Sequence, residues 1–206
     1  MPLTIHLVRH AQGFHNLSFD NHGMRDPLLT DLGKEQCAQL SKDFPFHSQI
    51  TAVVASPLKR TIYTALESFP GPISEKKLKV IALADIQEAS GMPCDTGSPI
   101  AELEREFAGQ PVDLELLSHV GDSWFDKQKG PYFPEPNNLD ARARKARQWI
   151  KATFGEQQDG HVAVVTHGGF LHYFTEDWAD HDKFPGMFLL SCEVTCEGRD
   201  GAVIIG

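Results

Sequence analysis

The chain has 206 residues, 41% of them hydrophobic and 23% charged, which suits one compact domain, 1–206, with a sizeable core. A formal net charge of −9 at pH 7 denies nucleic acid and anionic membranes the cationic face they reward, so neither is an expected partner and any phosphate must be bound locally. No apolar run approaches the roughly 18 residues of a membrane span and no secretory leader is recognisable, so a soluble, cytoplasmic protein is expected.

In chain order, "LTIHLV" reads as a first strand, and "TDLGKEQCAQLSKDF" as a helix with Thr30 as N-cap and Leu32, Cys37 and Leu40 on one face. "ITAVVAS" is a second strand, apolar almost throughout as central parallel strands are, and "PLKRTIYTALESF" a helix with Pro57 at its first position. "KVIALAD" is a third strand, "NLDARARKARQWIKATF" a long helix, "HVAVVT" a fourth strand and "GGFLHYF" the start of a further helix. "MFLLSCEVTCE" and "GAVIIG" read as a closing pair of edge strands. The alternation predicts an α/β fold, a three-layer α/β/α sandwich around a mostly parallel central sheet.

Between about 89 and 136 the rhythm breaks into a Gly- and Pro-rich stretch with only short amphipathic pieces, read as a small inserted cap too short for a core of its own. On the long helix Arg142, Arg144, Lys145 and Arg147 read as a solvated face.

In an open α/β sheet, ligands bind beyond the carboxyl ends of the strands, where loops and helix N-termini converge. Arg9-His10 ends the first strand, Ser56-Pro57-Leu58-Lys59-Arg60 follows the second, and Thr166-His167-Gly168-Gly169 ends the fourth. Two arginines and two histidines therefore meet at one edge, with glycines that permit close backbone approach. Guanidinium groups fork onto phosphate oxygens, and a neutral imidazole can attack phosphorus. Arg9 and His10 are adjacent and would face opposite sides of a regular strand, so the chain must leave the sheet there for both to share a pocket.

The motifs "LVRHAQGFHN", "SPLKRTIYTA", "QE" after the third strand and "VVTHGG", in that order over nearly the whole chain, resemble the histidine phosphatase superfamily, also called phosphoglycerate mutase-like. The resemblance implies that His10 is the residue phosphorylated, that Arg9, Arg60 and His167 hold the phosphoryl oxygens, that Asn16 helps bind phosphate, and that Glu88 donates the proton. Gln12, His15 and Gly168 complete the candidate substrate-binding positions. The chain departs from the commonest form of the first motif in having Ala11 where glycine is usual, followed by Gln12. For the acid, Asp85 and Glu102 are neighbouring carboxylates.

No cofactor and no metal is expected. His6 and His10 have a spacing that ligates zinc on a helix but not on a strand, and Cys37, Cys94, Cys192 and Cys196 form no CxxC pair. His22, His47, His119, His161, His172 and His181 carry no motif and read as structural. The expected partner is a small-molecule phosphate ester or diphosphate, and the expected activity is metal-independent hydrolysis through a phosphohistidine. Three competing readings stand beside it: a phosphoglycerate mutase; a non-catalytic phospho-ligand binder; and a prenyl-diphosphate phosphatase whose apolar cap is lined by Trp124, Phe125, Tyr132 and Phe133. Against the mutase, the insertion offers few cations, chiefly Arg105, Lys127 and Lys129, among many acids.

Overall fold

A computed structural model describes residues 3–157, 159–178, 189–195 and 204–205. Its elements in chain order are β1 (Thr4–Arg9), α1 (Asp31–Asp43), β2 (Ile50–Ala55), α2 (Lys59–Ser68), α3 (Pro70–Glu75), β3 (Val80–Ala82) and α4 (Ile100–Glu106). They continue as β4 (Val112–Asp113), α5 (Glu115–Ser118), α6 (Pro136–Phe154), β5 (His161–Thr166), α7 (Gly168–Thr175), β6 (Leu189–Thr195) and β7 (Ile204–Ile205). The sheet order is β4-β3-β2-β5-β1-β6-β7. The pairs from β4 through β1 are parallel, and β6 and β7 join antiparallel beyond β1.

The three layers follow from the two-residue period of the central strands. Ile5, Leu7, Ala52, Val54, Val162 and Val164 turn to one face, where Ala143, Ala146 and Ile150 of α6 and Phe170, Leu171 and Phe174 of α7 cover them. Val8, Val53, Ala55, Ala163 and Val165 turn to the other, under Ile62 and Ala65 of α2 and Ile73 of α3. Both faces being covered explains why β2 and β5 are apolar almost throughout. No helix among the described residues is long and apolar enough to cross a membrane.

Thr30 caps α1 as expected, its hydroxyl oxygen accepting from the Gly33 N–H at 3.0 Å. A Cβ on Gly33 would come within 2.2 Å of the Gln12 carbonyl oxygen, so glycine lets α1 press against the loop that follows β1. The buried face of α1 carries Gly33 and Cys37, whereas Leu32 is half exposed and is not part of it. Pro57 lies ahead of α2, whose first residue is Lys59 with Leu58 as N-cap. Proline directs the chain out of β2 rather than opening the helix. The third strand is shorter than the apolar run, because Ala84–Ile86 turns into a 3-10 helix.

The stretch read as an insertion adds to the main core. Leu103, Phe107, Leu117, Trp124 and Tyr132 join the cluster under α2, and β4 extends the sheet beside β3. Trp124 and Tyr132 are thus core residues, not the lining of an apolar cap.

The basic run on α6 is not a solvated face throughout, since Arg142 and Arg147 are both buried. Arg147 donates to the carbonyls of Tyr173 and Phe174 at 3.1 and 2.9 Å and pairs with Glu176, meeting the unsatisfied last turn of α7. Arg142 stacks 4.9 Å above the Phe170 ring and reaches the Glu88 carbonyl at 3.4 Å. In both cases helix ends and main-chain acceptors of a neighbouring element draw inward a guanidinium that sequence pattern alone assigns to water.

Candidate active site

The three carboxyl-end clusters converge. His10 leaves β1 with its N–H on the Thr166 carbonyl of β5 at 2.9 Å, and Ser56 follows β2 with its N–H on Val165 at 3.0 Å. Thr64 of α2 accepts the Ala11 N–H at 3.1 Å, tying the loop after β1 to the helix that carries Arg60. Asp26, buried at φ 43°, accepts the Lys59 N–H at 3.0 Å and the Ser98 hydroxyl at 2.8 Å, so one carboxylate joins this loop, the start of α2 and the insertion.

Hydrogen bonds fix the imidazoles' tautomers, because an arginine can only donate. Arg60 Nε donates to His10 Nε2 at 3.3 Å, so the proton of His10 lies on Nδ1, which donates to the Ala11 carbonyl at 2.7 Å. Arg60 Nη2 donates to His167 Nδ1 at 3.1 Å, and His167 Nε2 in turn donates to Ser56 Oγ at 2.8 Å. The two rings are 5.1 Å apart, centre to centre. Burial first, then the Arg60 charge, hold both histidines well below the ordinary imidazole range. His10 is therefore neutral, with its lone pair on Nε2 facing the guanidinium.

Glu88 lies under the start of α7. Its Oε1 accepts from Phe170 N at 2.9 Å and Ala89 N at 2.7 Å, and its Oε2 from Gly169 N at 3.3 Å. A Cβ on Gly169 would stand 2.7 Å from Oε1, so only glycine leaves the carboxylate its place. Burial, then the charge of Asp95, push the Glu88 carboxyl above its ordinary range, against the pull of those N–H donors and of Arg60. Gly168 begins α7 directly beside the Arg9 guanidinium. Burial lowers Arg9 somewhat, and Glu88 and Arg60 are the charges it senses.

His15 is buried, its ring 5.4 Å from that of His10, with Nδ1 lacking a hydrogen-bond partner; burial and Arg60 depress it to about 3. Asn16 and Gln12 are engaged in building the loop. Asn16 Oδ1 accepts the Gly13 N–H at 3.0 Å, and Gln12 Oε1 accepts the Thr30 hydroxyl at 2.8 Å. Of the other carboxylates weighed, Asp85 pairs with Lys145 at 3.0 Å and Glu102 with Lys59 at 2.6 Å.

Three groups at this site have contacts that the sequence did not assign. Ser56 orients His167; Asp95 pairs with Arg60 at 2.8 Å; and Lys127, buried, donates to the Glu88 carbonyl at 3.0 Å. Ser56 sat inside a quoted motif without a role. Asp95 and Lys127 lie in the aperiodic insertion, where no spacing marks one charge above its neighbours.

A neutral imidazole nitrogen, two arginines, a second imidazole and a carboxyl group thus gather at the carboxyl edge of a parallel sheet. Such a set of groups can bind a tetrahedral oxyanion and transfer it. The chain matches the model of the histidine phosphatase superfamily (branch 1) over residues 5–196, and it belongs to that family. It is 28% identical to a probable phosphatase of Schizosaccharomyces pombe over 186 residues, 89% of this chain and 82% of that one. It is 44% identical to phosphoglycerate mutase-like protein 2 of Arabidopsis thaliana, over 82% of this chain and 64% of the other. Among solved structures, the ecdysone phosphate phosphatase of Bombix mori in complex with tungstate superposes with a TM-score of 0.65 at 15% identity, covering 98% of this chain and 91% of that one.

Proposed function

We propose that the protein is a phosphatase that hydrolyses small phosphorylated metabolites through a phosphohistidine at His10. The observation that carries this reading is the fixed tautomer of His10: Nδ1–H is committed to the Ala11 carbonyl, which leaves the Nε2 lone pair as the nucleophile.

In the first step His10 Nε2 bonds to phosphorus as the ester P–O bond breaks, and the proton of the Glu88 carboxyl passes to the leaving oxygen. Charge gathers on the equatorial oxygens, where the guanidinium groups of Arg9 and Arg60 stabilise it, and His167, its Nε2–H held by Ser56, accepts from Arg60 Nη2 and so aims that guanidinium. In the second step the Glu88 carboxylate takes a proton from water, whose oxygen attacks phosphorus; the N–P bond breaks, and inorganic phosphate leaves with His10 neutral and Glu88 protonated again. Each group is needed in the form its surroundings favour, with His10 unprotonated and Glu88 protonated. The rate should peak between the depressed value of His10 and the elevated value of Glu88 and fall on the alkaline side as Glu88 ionises. The balance of atoms and charges requires no metal.

Hydrolysis is favoured over mutase chemistry by what the insertion presents. Asp95 sets an anion against Arg60, and Lys127 is turned onto the Glu88 carbonyl, while Arg105 and Lys129 are exposed. With Lys127 engaged by the Glu88 carbonyl and Arg105 and Lys129 at the surface, the insertion gathers no cluster of cations, among the described residues, for a second anionic group on the substrate. The relatives point the same way in part, one being named a probable phosphatase and another phosphoglycerate mutase-like.

The test is rapid-quench labelling with a radioactive monoester. Wild type should yield an acid-labile phosphoprotein and free phosphate, and His10→Ala should yield neither while keeping its circular-dichroism spectrum. Label retained in His10→Ala would remove His10 as nucleophile.

A further inference from the structure

The guanidinium of Arg60 is held from behind by a part of the chain that belongs to none of the sequence motifs. Of the five N–H bonds an arginine carries, Nε faces His10, one Nη2 bond faces His167, the other faces Asp95 Oδ1 at 2.8 Å, and Nη1 donates to the Cys94 carbonyl at 2.6 Å. Asp95 is itself fixed: its Oδ2 accepts the Ser90 hydroxyl at 2.5 Å, and Ser90 Oγ accepts the Met92 N–H at 3.1 Å. Both Arg60 and Asp95 are buried, so neither geometry is left to solvent.

Occupation of His10 Nε2 by a phosphoryl group displaces the Arg60 Nε–H from nitrogen to a phosphoryl oxygen. The contacts to Cys94 and Asp95 lie on the other side of the guanidinium and can persist. We propose that Asp95 is a positioning residue, the carboxylate by which the insertion fixes Arg60 so that its Nε–H and the His167 ring stay directed at the phosphoryl site through both steps. The assignment rests on the phosphohistidine reading above.

A consequence reaches Glu88. The charged groups that face it are Asp95 from the insertion, Arg60 from α2, Arg9 from β1, Lys127 from the insertion and Arg142 from α6. Asp95 is the anion among them, and it favours the protonated form of Glu88. Neutralising Asp95 leaves cations as the remaining charged neighbours, so Glu88 should give up its proton at lower pH. A residue that merely supported the fold would not move that value.

The experiment compares Asp95→Ala and Asp95→Asn with wild type in the full chain, measuring phosphate release from an alkyl monoester across pH. Asp95→Ala, which removes the acceptor, should lower kcat/KM roughly 10²-fold by freeing the guanidinium. Asp95→Asn keeps an oxygen toward Nη2 and should recover much of that rate, yet its alkaline limb should lie at lower pH than in wild type. Full kcat/KM in Asp95→Ala, or an alkaline limb that Asp95→Asn leaves in place, overturns the assignment. If Asp95→Ala does not fold, the position of the Asp95→Asn limb decides alone. Wild-type turnover with unmoved variants refutes only the role of Asp95, whereas wild type without a phosphoprotein refutes it together with the reading on which it rests.

Discussion

Replacing Gly169 with alanine separates catalysis from stability at the proposed acid. The added methyl would stand 2.7 Å from Glu88 Oε1, where ordinary contact begins at 3.4 Å, so the carboxylate must retreat by about 0.7 Å. The fold should accept this. Gly169 is exposed in the first turn of α7, alanine is favoured over glycine in helices by up to about 1 kcal/mol, and the atom in the way ends a flexible side chain. Catalysis should not accept it, since general-acid assistance is typically a factor of about 10²–10⁴ and misplacement near 1 Å can forfeit about 10². For an alkyl phosphate, kcat/KM should fall about 10²-fold, or about 2.7 kcal/mol of transition-state stabilisation. For 4-nitrophenyl phosphate, whose leaving group departs without a proton, the fall should be less than about threefold. The assay is initial-rate phosphate release with both substrates beside a thermal melt, with Glu88→Gln as reference. Equal losses on the two esters, or an unchanged alkyl rate in a folded variant, would refute Glu88 as the acid.

With 3-phosphoglycerate and a bisphosphoglycerate primer, isomerisation should be slight beside phosphate release from the best monoester; rapid interconversion with little free phosphate would install the mutase reading. Activity should survive EDTA, and loss restored by one divalent ion would contradict the metal-free scheme. A stability test concerns His6, whose Nε2 lies 2.8 Å from His161 Nδ1 and which burial and His161 depress from 6.5 to about 4. Unfolding frees His6 to bind a proton between those values, so its contribution is complete above about pH 6.5 and is lost as pH falls toward 4, about 2 kcal/mol of it by pH 4.5. His6→Phe, whose ring suits the neighbouring Phe44 and Phe46, should lose correspondingly less stability between pH 7 and 4.5 in urea titrations, and an unaltered pH dependence would sink the account.

What could be read from the sequence was whatever obeys a period or sits at an address. Val53 and Val54 face opposite sheet surfaces because strands alternate, and Arg9-His10, Arg60 and His167 meet because parallel strands share a carboxyl edge. Thr30 was legible as a cap because the N–H it binds lies three residues on. Arg142 and Arg147 were misread because a helical charge pattern does not reveal what a neighbouring element offers to bury them against: the Phe170 ring and the Glu88 loop carbonyl for Arg142, the end of α7 for Arg147. Asp95, and the contact that Lys127 makes with Glu88, were not legible for a related reason: an irregular segment places side chains through its own turns, so each contact joins residues distant in sequence. The two strands expected from the last part of the chain do pair antiparallel, β6 with β7, while Cys196 and His181 lie outside the described residues.

In the proposed reaction the seat of Glu88 acts as a built-in recoil. Backbone N–H groups at the start of α7 bind a carboxylate more strongly than a carboxylic acid, and the helix end adds its partial positive charge. The state just after proton donation, with the leaving alcohol neutral and Glu88 charged, is therefore received by dipoles already in place, without reorganisation of solvent. In the proposed second step burial and the Asp95 charge favour the return of a proton, so the carboxylate can act as the base when water reaches phosphorus. His167 stands directly before this helix, so the ring that meets Arg60 and the N–H groups that hold Glu88 sit on one piece of backbone: a displacement of α7 that loosens one must loosen the other.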